Sequence, residues 1–131
     1  MEAEGDFVTR SSPYGFGETV TRLTGLLDAR GLKLFDVIDQ RAEAESVGLE
    51  LRPTTLVLFG NPTAGTPLME AAPLAALDLP LKVLIWAAEG TTWVAYQDPA
   101  ALAQRHGLDD LVGNIAGVVA LVEALVAPAG D

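Results

Sequence analysis

Residues 56–98 read LVLFGNPTAGTPLMEAAPLAALDLPLKVLIWAAEGTTWVAYQD, and this stretch decides the fold. Residues 55–59 are β-branched, aliphatic or aromatic and run into Gly60-Asn61-Pro62, the pattern of a buried strand closed by a turn. Residues 81–88 form a second apolar run. Glu89-Gly90 is a tight-turn signal, so 91–97 is expected to return beside it as a hairpin partner. Between these strands stand Pro62, Pro67, Pro73 and Pro80, which cannot all lie inside one helix. The reading places Pro67 in the first turn of a short helix capped by Thr66, with Pro73 ending or kinking it. A second short helical piece is expected over 74–77.

Outward from this core, residues 7–11 read as a first strand broken by Pro13. Phe16, Val20, Leu23, Leu26 and Leu27 recur at helical spacing, predicting a helix over about 16–30. Gly15 stands at its N-cap, Glu18 favours the positive helix end, and Gly31 stops it in a left-handed conformation. Residues 32–39 alternate with apolar side chains on both faces, a second strand. Residues 40–51 are polar and Glu-rich, a loop or short irregular helix. Asp98-Pro99 starts a helix that ends at Gly107. Asp109 is expected to cap a last helix to about residue 126, with Leu111, Ile115, Val118, Val119 and Val122 as its buried stripe. Gly113 and Gly117, one turn apart, are read as a close backbone approach. The resulting fold class is α+β: a curved, mainly antiparallel sheet of about five strands with helices packed on one face.

Composition narrows the function. The chain has 131 residues and a formal net charge of -10, from 18 acidic and 8 basic residues. Such a field repels phosphate backbones and anionic membranes, so nucleic-acid and membrane-surface binding are disfavoured. Zero cysteines exclude thiolate nucleophiles, disulfides and thiolate metal sites, and a single histidine excludes a multi-histidine site. No metal and no cofactor are expected. The acidic start MEAEGDF lacks an apolar core, so it does not read as a secretory signal. The longest apolar run, 111–127, carries Asn114 and Glu123 and falls short of the roughly 20 apolar residues of a membrane span. A soluble, cytoplasmic protein is expected, with one domain over 7–127 between flexible ends at 1–6 and 128–131.

Several segments together resemble one family. FGNP at 59–62 continues into GTPLM at 65–69; Ala75 precedes LDLPLK at 77–82; Tyr96 is followed by Asp98-Pro99. Ser12-Pro13-Tyr14, Ile38-Asp39 and Arg105-His106-Gly107-Leu108 fit the same pattern. The chain is similar to the DUF302 family of small bacterial and archaeal proteins over roughly 7–126. That resemblance implies a TATA-binding-protein-like (TBP-like) α+β fold and dimers, and it implies no catalytic assignment. Many members carry His after the Ile-Asp pair, where this chain has Gln40. A metal or cofactor bound by that His in relatives would have lost its ligand here.

Candidate site residues are Asp39, Asn61, Thr66, Lys82, Trp86, Tyr96 and Asp98. The Gly60-to-Pro67 loop resembles a phosphate cradle, but it lacks a Gly-Lys-Ser/Thr ending and two prolines remove donors. Loop geometry is the simpler account, and Asn61 is a turn former on the same grounds. Asp39, Lys82, Tyr96 and Asp98 stand near strand ends; in a curved sheet they can converge as an acid/base pair, a cation and a phenol. Local structure competes: Asp98 caps a helix, Lys82 is solvated, Tyr96 is a core aromatic, and Asp39 is the least explained. His106 serves a helix C-terminus, Met69 packs, and Trp86 with Trp93 flank the hairpin turn as a cross-strand or core pair, a cavity lining or a dimer surface.

The leading expectation is a homodimeric small-molecule-binding or protein-interaction module without classical catalytic machinery. A ligand cavity requires a pocket of roughly 300 Å³ or more. The alternative is an enzyme of unknown reaction using Asp39, Lys82, Tyr96 and Asp98, which requires those side chains within hydrogen-bond reach of a common point.

Overall fold

The computed structural model describes residues 2–129. Six strands form one antiparallel sheet in the order β1-β2-β6-β5-β4-β3. The strands are β1 (Glu2–Glu4), β2 (Phe7–Ser12), β3 (Lys33–Asp39), β4 (Thr54–Gly60), β5 (Leu81–Ala88) and β6 (Thr91–Gln97). Strands β2 to β6 are the expected sheet of about five. The three-residue β1 adds a sixth, paired to β2 ahead of the position where the sequence suggested the domain begins. Of the expected C-terminal tail at 128–131, residues 130 and 131 lie outside the described residues.

Strand alternation sorts the sheet into two faces. Val8, Val57, Phe59, Val83, Ile85, Val94 and Tyr96 point to one side, each less than a tenth exposed. On them pack α1 (Phe16–Ala29), through Leu23 and Leu27, and α5 (Gly117–Leu125), through Val118, Leu121, Val122 and Leu125. Side chains fasten this layer at its rim. Arg10 pairs with Glu123, and the Tyr14 hydroxyl donates to the Ala127 carbonyl. Arg22 stacks 4.0 Å from the Tyr14 ring centroid and donates to the carbonyls of Ala124 and Leu125. Ser12 and Thr19 hydroxyls share a buried 2.8 Å hydrogen bond.

A second, smaller core joins Leu68, Ala75, Leu102, Ala103, Leu108 and Ile115. It is built by α3 (Pro62–Ala71), a 3-10 turn (Pro73–Asp78), α4 (Pro99–Arg105) and a second 3-10 turn (Asp109–Asn114).

Three local expectations change. The helix expected to begin at Thr66 begins at Pro62: Asn61 is the stronger cap, its side chain accepting from Thr63 N–H, and Pro62 needs no donor at the first position. Thr66 is an exposed residue within α3, and Pro67 lies inside the helix. The single last helix is two pieces. The chain leaves the 3-10 turn at Ile115 and restarts at Gly117, at a point where two glycines disfavour continuous helix. Ile115 therefore joins the second core while Val119 turns outward, 38% exposed. The close approach expected at Gly113 and Gly117 is absent, since a Cβ at either position meets nothing within 4 Å.

The opposite sheet face carries Leu56 and Leu58 on β4, Leu84 and Trp86 on β5, and Trp93 on β6, all half-buried. The register lines up Thr9, Ala95, Leu84, Leu56 and Ile38 across five strands, with Trp93 and Trp86 paired in the next row. The two indoles stack with centroids 6.4 Å apart. Both packed cores lie elsewhere, and α2 (Gln40–Ser46) buries no residue of its own. This face is bare among the described elements.

Candidate functional site

An apolar concavity opens where β4 leaves the sheet and β5 enters it. Its cavity volume is about 200 Å³. Phe35, Gly60, Leu79, Pro80 and Leu81 form the sheet-side wall; Ala64, Gly65 and Met69 of α3 form the other; Ile115 closes the base. The lining is almost wholly apolar, with two side-chain amides, Asn61 and Asn114, at the pocket. Gly60 and Gly65 keep it open. A Cβ at Gly60 would sit 3.6 Å from the Phe35 ring, and one at Gly65 3.8 Å from Leu79 Cδ1, ordinary contacts that would fill the space.

The two amides are already half-used. Asn61 Oδ1 accepts from Thr63 N–H at 3.0 Å as the cap of α3. Asn114 Nδ2 donates to the Ala64 carbonyl at 2.9 Å, tying the second 3-10 turn to α3. Among the described residues this leaves Asn61 Nδ2 as a spare donor and Asn114 Oδ1 as a spare acceptor.

Behind the Leu79-Pro80 wall lies a charged clasp. Asp78 Oδ2 is 2.6 Å from His106 Nε2 and 2.8 Å from Arg105 Nη1. Arg105 also donates to Asp6 at 2.7 Å and to Gln97 at 3.2 Å. Partial burial pushes the Asp78 carboxyl up, but the hydrogen bonds and charges of His106 and Arg105 outweigh it and hold it below its ordinary value. The Asp78 and Asp6 carboxylates raise Arg105 in turn. The clasp joins the turn before β5 to the end of α4, and so fixes one wall of the pocket.

Of the candidate site residues named from the sequence, Asn61 alone lines this pocket, joined by Met69, which the sequence assigned to packing. Asp39 caps α2, accepting from Ala42 N–H at 2.9 Å, which supplies the local role the sequence left open. Asp98 caps α4, accepting from Ala100 N–H at 3.3 Å. Lys82 lies on the bare face and donates to the Pro80 carbonyl at 3.3 Å. Trp86 lies on that face as well, beside Trp93 and outside both cores. Tyr96 points to the opposite, helix-packed face, and burial raises its phenol. Asp39 belongs to the hairpin-turn end of the sheet, opposite Thr55 and across from Ile85, whereas Lys82 and Asp98 stand at the other end. The four groups of the enzymatic alternative do not meet at a common point. Sequence reasoning missed the Asp78–Arg105–His106 clasp and most of the pocket wall. The signal was present, because Gly60, Asn61, Gly65, Met69, Leu79, Pro80 and Leu81 all fall in the segments that carry the family resemblance.

The chain belongs to the DUF302 family, "Domain of unknown function DUF302", whose model matches residues 8–125. It is similar in structure to an uncharacterized conserved DUF302 protein from Bacillus stearothermophilus, with a TM-score of 0.79 and 20% identity over 92% of this chain and 95% of that one. That likeness establishes the α+β fold. It is also 40% identical over 106 residues to proteins named "Fluoride-specific ion channel FluC 1" from Brucella suis and "Fluoride-specific ion channel FluC 2" from Brucella melitensis. The match covers 80% of this chain but only 42% and 39% of those proteins, so the chain spans about two-fifths of their length. No helix among the described residues is long and apolar enough to cross a membrane.

Proposed function

We propose that this chain is a non-catalytic interaction domain that works as a homodimer through the bare face of its sheet. The observation that carries this reading is the continuous row from Ala95 through Leu84 and Leu56 to Ile38, flanked by the Trp86–Trp93 pair, which among the described residues belongs to neither packed core. Six strands at about 4.8 Å spacing and about 3.3 Å rise per residue make a face roughly 24 Å across and 23 Å long. That is about 550 Å² of projected area, roughly two-thirds of the ~800 Å² per partner of a standard interface before side-chain relief is added. The charges within the face are mixed, Lys82 and Asp36 lying in one cross-strand row. Two copies can therefore meet there despite the net charge of -10 on each.

Native mass spectrometry tests this. The wild type is expected as a dimer and Trp86→Arg as a folded monomer. A monomeric wild type, or a Trp86→Arg dimer of unchanged strength, overturns the reading.

The small-molecule alternative rests on the pocket. At about 200 Å³ it falls short of the roughly 300 Å³ that a drug-sized ligand needs, and the larger concavity of about 530 Å³ beside Arg41, Glu45, Glu50, Leu51 and Arg52 is mostly polar, without the apolar lining such a ligand needs. The Brucella relatives favour one extension of the interaction reading. Membrane-spanning structures satisfy their backbone groups in helices or closed barrels, and the stretch shared with those proteins folds as an open sheet with short helices. On this proposal the domain is an accessory that stands beside the ion-conducting portion. Co-elution of the purified domain with a detergent-solubilised fluoride channel supports it, and independent migration rejects it.

A further inference from the structure

The pocket at the Gly60–Leu81 end has a polar pattern that the dimer face does not use. It lies at the opposite end of the sheet from the Trp86–Trp93 pair, between α3 and the 3-10 turn Asp109–Asn114. Its volume of about 200 Å³ exceeds the ~150 Å³ of an apolar cavity that takes up benzene, so one phenyl ring or branched aliphatic group fits it. The amides at the pocket then matter. Asn61 is oriented by its own cap, because Oδ1 is committed to Thr63 N–H, and this leaves Nδ2 at the pocket with protons to give. Asn114 is oriented by its bond to the Ala64 carbonyl, leaving Oδ1 with a lone pair to fill. One donor and one acceptor beside an apolar slot complement the carbonyl and N–H that flank a side chain in an extended polypeptide.

From this pairing we infer that the pocket is a receptor for a single aromatic or branched aliphatic side chain of an extended segment of a partner protein, whose backbone carbonyl accepts from Asn61 and whose backbone N–H donates to Asn114. The absence of charged groups from the lining selects a neutral segment over a free amino acid or a carboxylate ligand. Preorganisation favours the arrangement: both amides are held by the fold before anything binds, and the Asp78 clasp holds the Leu79–Leu81 wall.

The test uses the intact chain and amide NMR with three probes: N-acetyl-phenylalanine methylamide, N-acetyl-alanine methylamide and benzene. Saturable shifts are expected for the phenylalanine probe, centred on 60–69, 79–81 and 114–115, with none at matched concentration for the alanine probe. Asn61→Asp keeps the cap of α3, since a carboxylate also accepts from Thr63 N–H, but deletes the donor. It should weaken the phenylalanine probe by about 3- to 10-fold, the worth of one hydrogen bond, and leave benzene unchanged. Ala64→Phe fills the slot and should abolish binding of both. Equal weakening of benzene and the phenylalanine probe by Asn61→Asp, no weakening of either, or no saturable shift from the phenylalanine probe overturns the proposal. Native mass spectrometry judges the dimer separately, so either reading can fail without the other.

Discussion

Asp78 Oδ2 lies 2.6 Å from His106 Nε2, across a separation of 28 residues, and the same oxygen holds Arg105. This contact ties the turn that leads into β5 to the far end of α4. Replacing Asp78 by Ala is expected to cost about 1–3 kcal/mol, the range for removing hydrogen bonds to charged partners. Urea unfolding measures it, and faster hydrogen exchange at Leu79 and Leu81 should accompany it. A cost near zero would show that the clasp does not hold the wall.

The same carboxylate sets a pH dependence. Its folded value lies below the ordinary 3.8, so between the two the unfolded chain binds the extra proton and stability rises with pH through that window. The contribution is complete above the unfolded value and is lost as pH falls through the folded one. The stability gap between wild type and Asp78→Asn should therefore be constant near neutrality and shrink as pH drops below about 4. A gap that widens on acidification contradicts the assignment.

The two faces of the sheet should respond differently to substitution. Leu23, on the sheet-packed side of α1, is 0% exposed, and Leu23→Ala is expected to cost about 2–5 kcal/mol. Leu84→Arg, on the bare face, should cost the monomer about 1 kcal/mol or less while reducing dimer population strongly. Thermal melting over a protein dilution series separates the effects. An equally large monomer penalty at Leu84 would mean the face is covered within the chain.

Asn61 has two separable roles. Asn61→Ala removes the cap of α3 and is expected to cost about 1 kcal/mol, whereas Asn61→Asp should be neutral within a few tenths. Denaturant midpoints of the pair distinguish capping from any demand for the amide itself.

The hairpin turn offers a gain. Glu89 has φ 53° and Gly90 φ 80°, the left-handed pair of a type I′ turn. Glutamate pays a steric cost there that asparagine avoids in part, so Glu89→Asn should raise stability by up to about 1 kcal/mol. An unchanged melting temperature would refute it.

The elements most legible in the sequence were those set by local chemistry. Gly31 stops α1 at φ 68°, Glu89-Gly90 sets the hairpin register that pairs Trp86 with Trp93, and Asp98-Pro99 opens α4. The start of α3 was misplaced because two prolines compete for the first turn, and the choice falls to the better cap at Asn61. The 109–126 region carries apolar residues at helical spacing, but Ile115 and Val118 belong to different cores, which periodicity does not show. Strands with apolar residues at successive positions, such as Leu56-Val57-Leu58, look the same whether both faces are covered or one is bare. The pocket draws on Phe35, the 60–69 segment, the 79–81 segment and Asn114, so it exists only once the sheet has brought those segments together.

The margins of the sheet limit what this protein can build. One edge is the three-residue β1; the other, β3, is interrupted between Leu34 and Asp36 and carries Lys33, Asp36 and Asp39. A short strand and a bulged, charged one are poor templates for adding another chain's strand. Endless edge-to-edge stacking of the kind that seeds fibrils is thereby discouraged, even though half the residues of the chain are hydrophobic. On the proposed dimer reading, association is left to the broad face, and two copies meeting there would hide the apolar row from a third, so that assembly would stop at a closed pair.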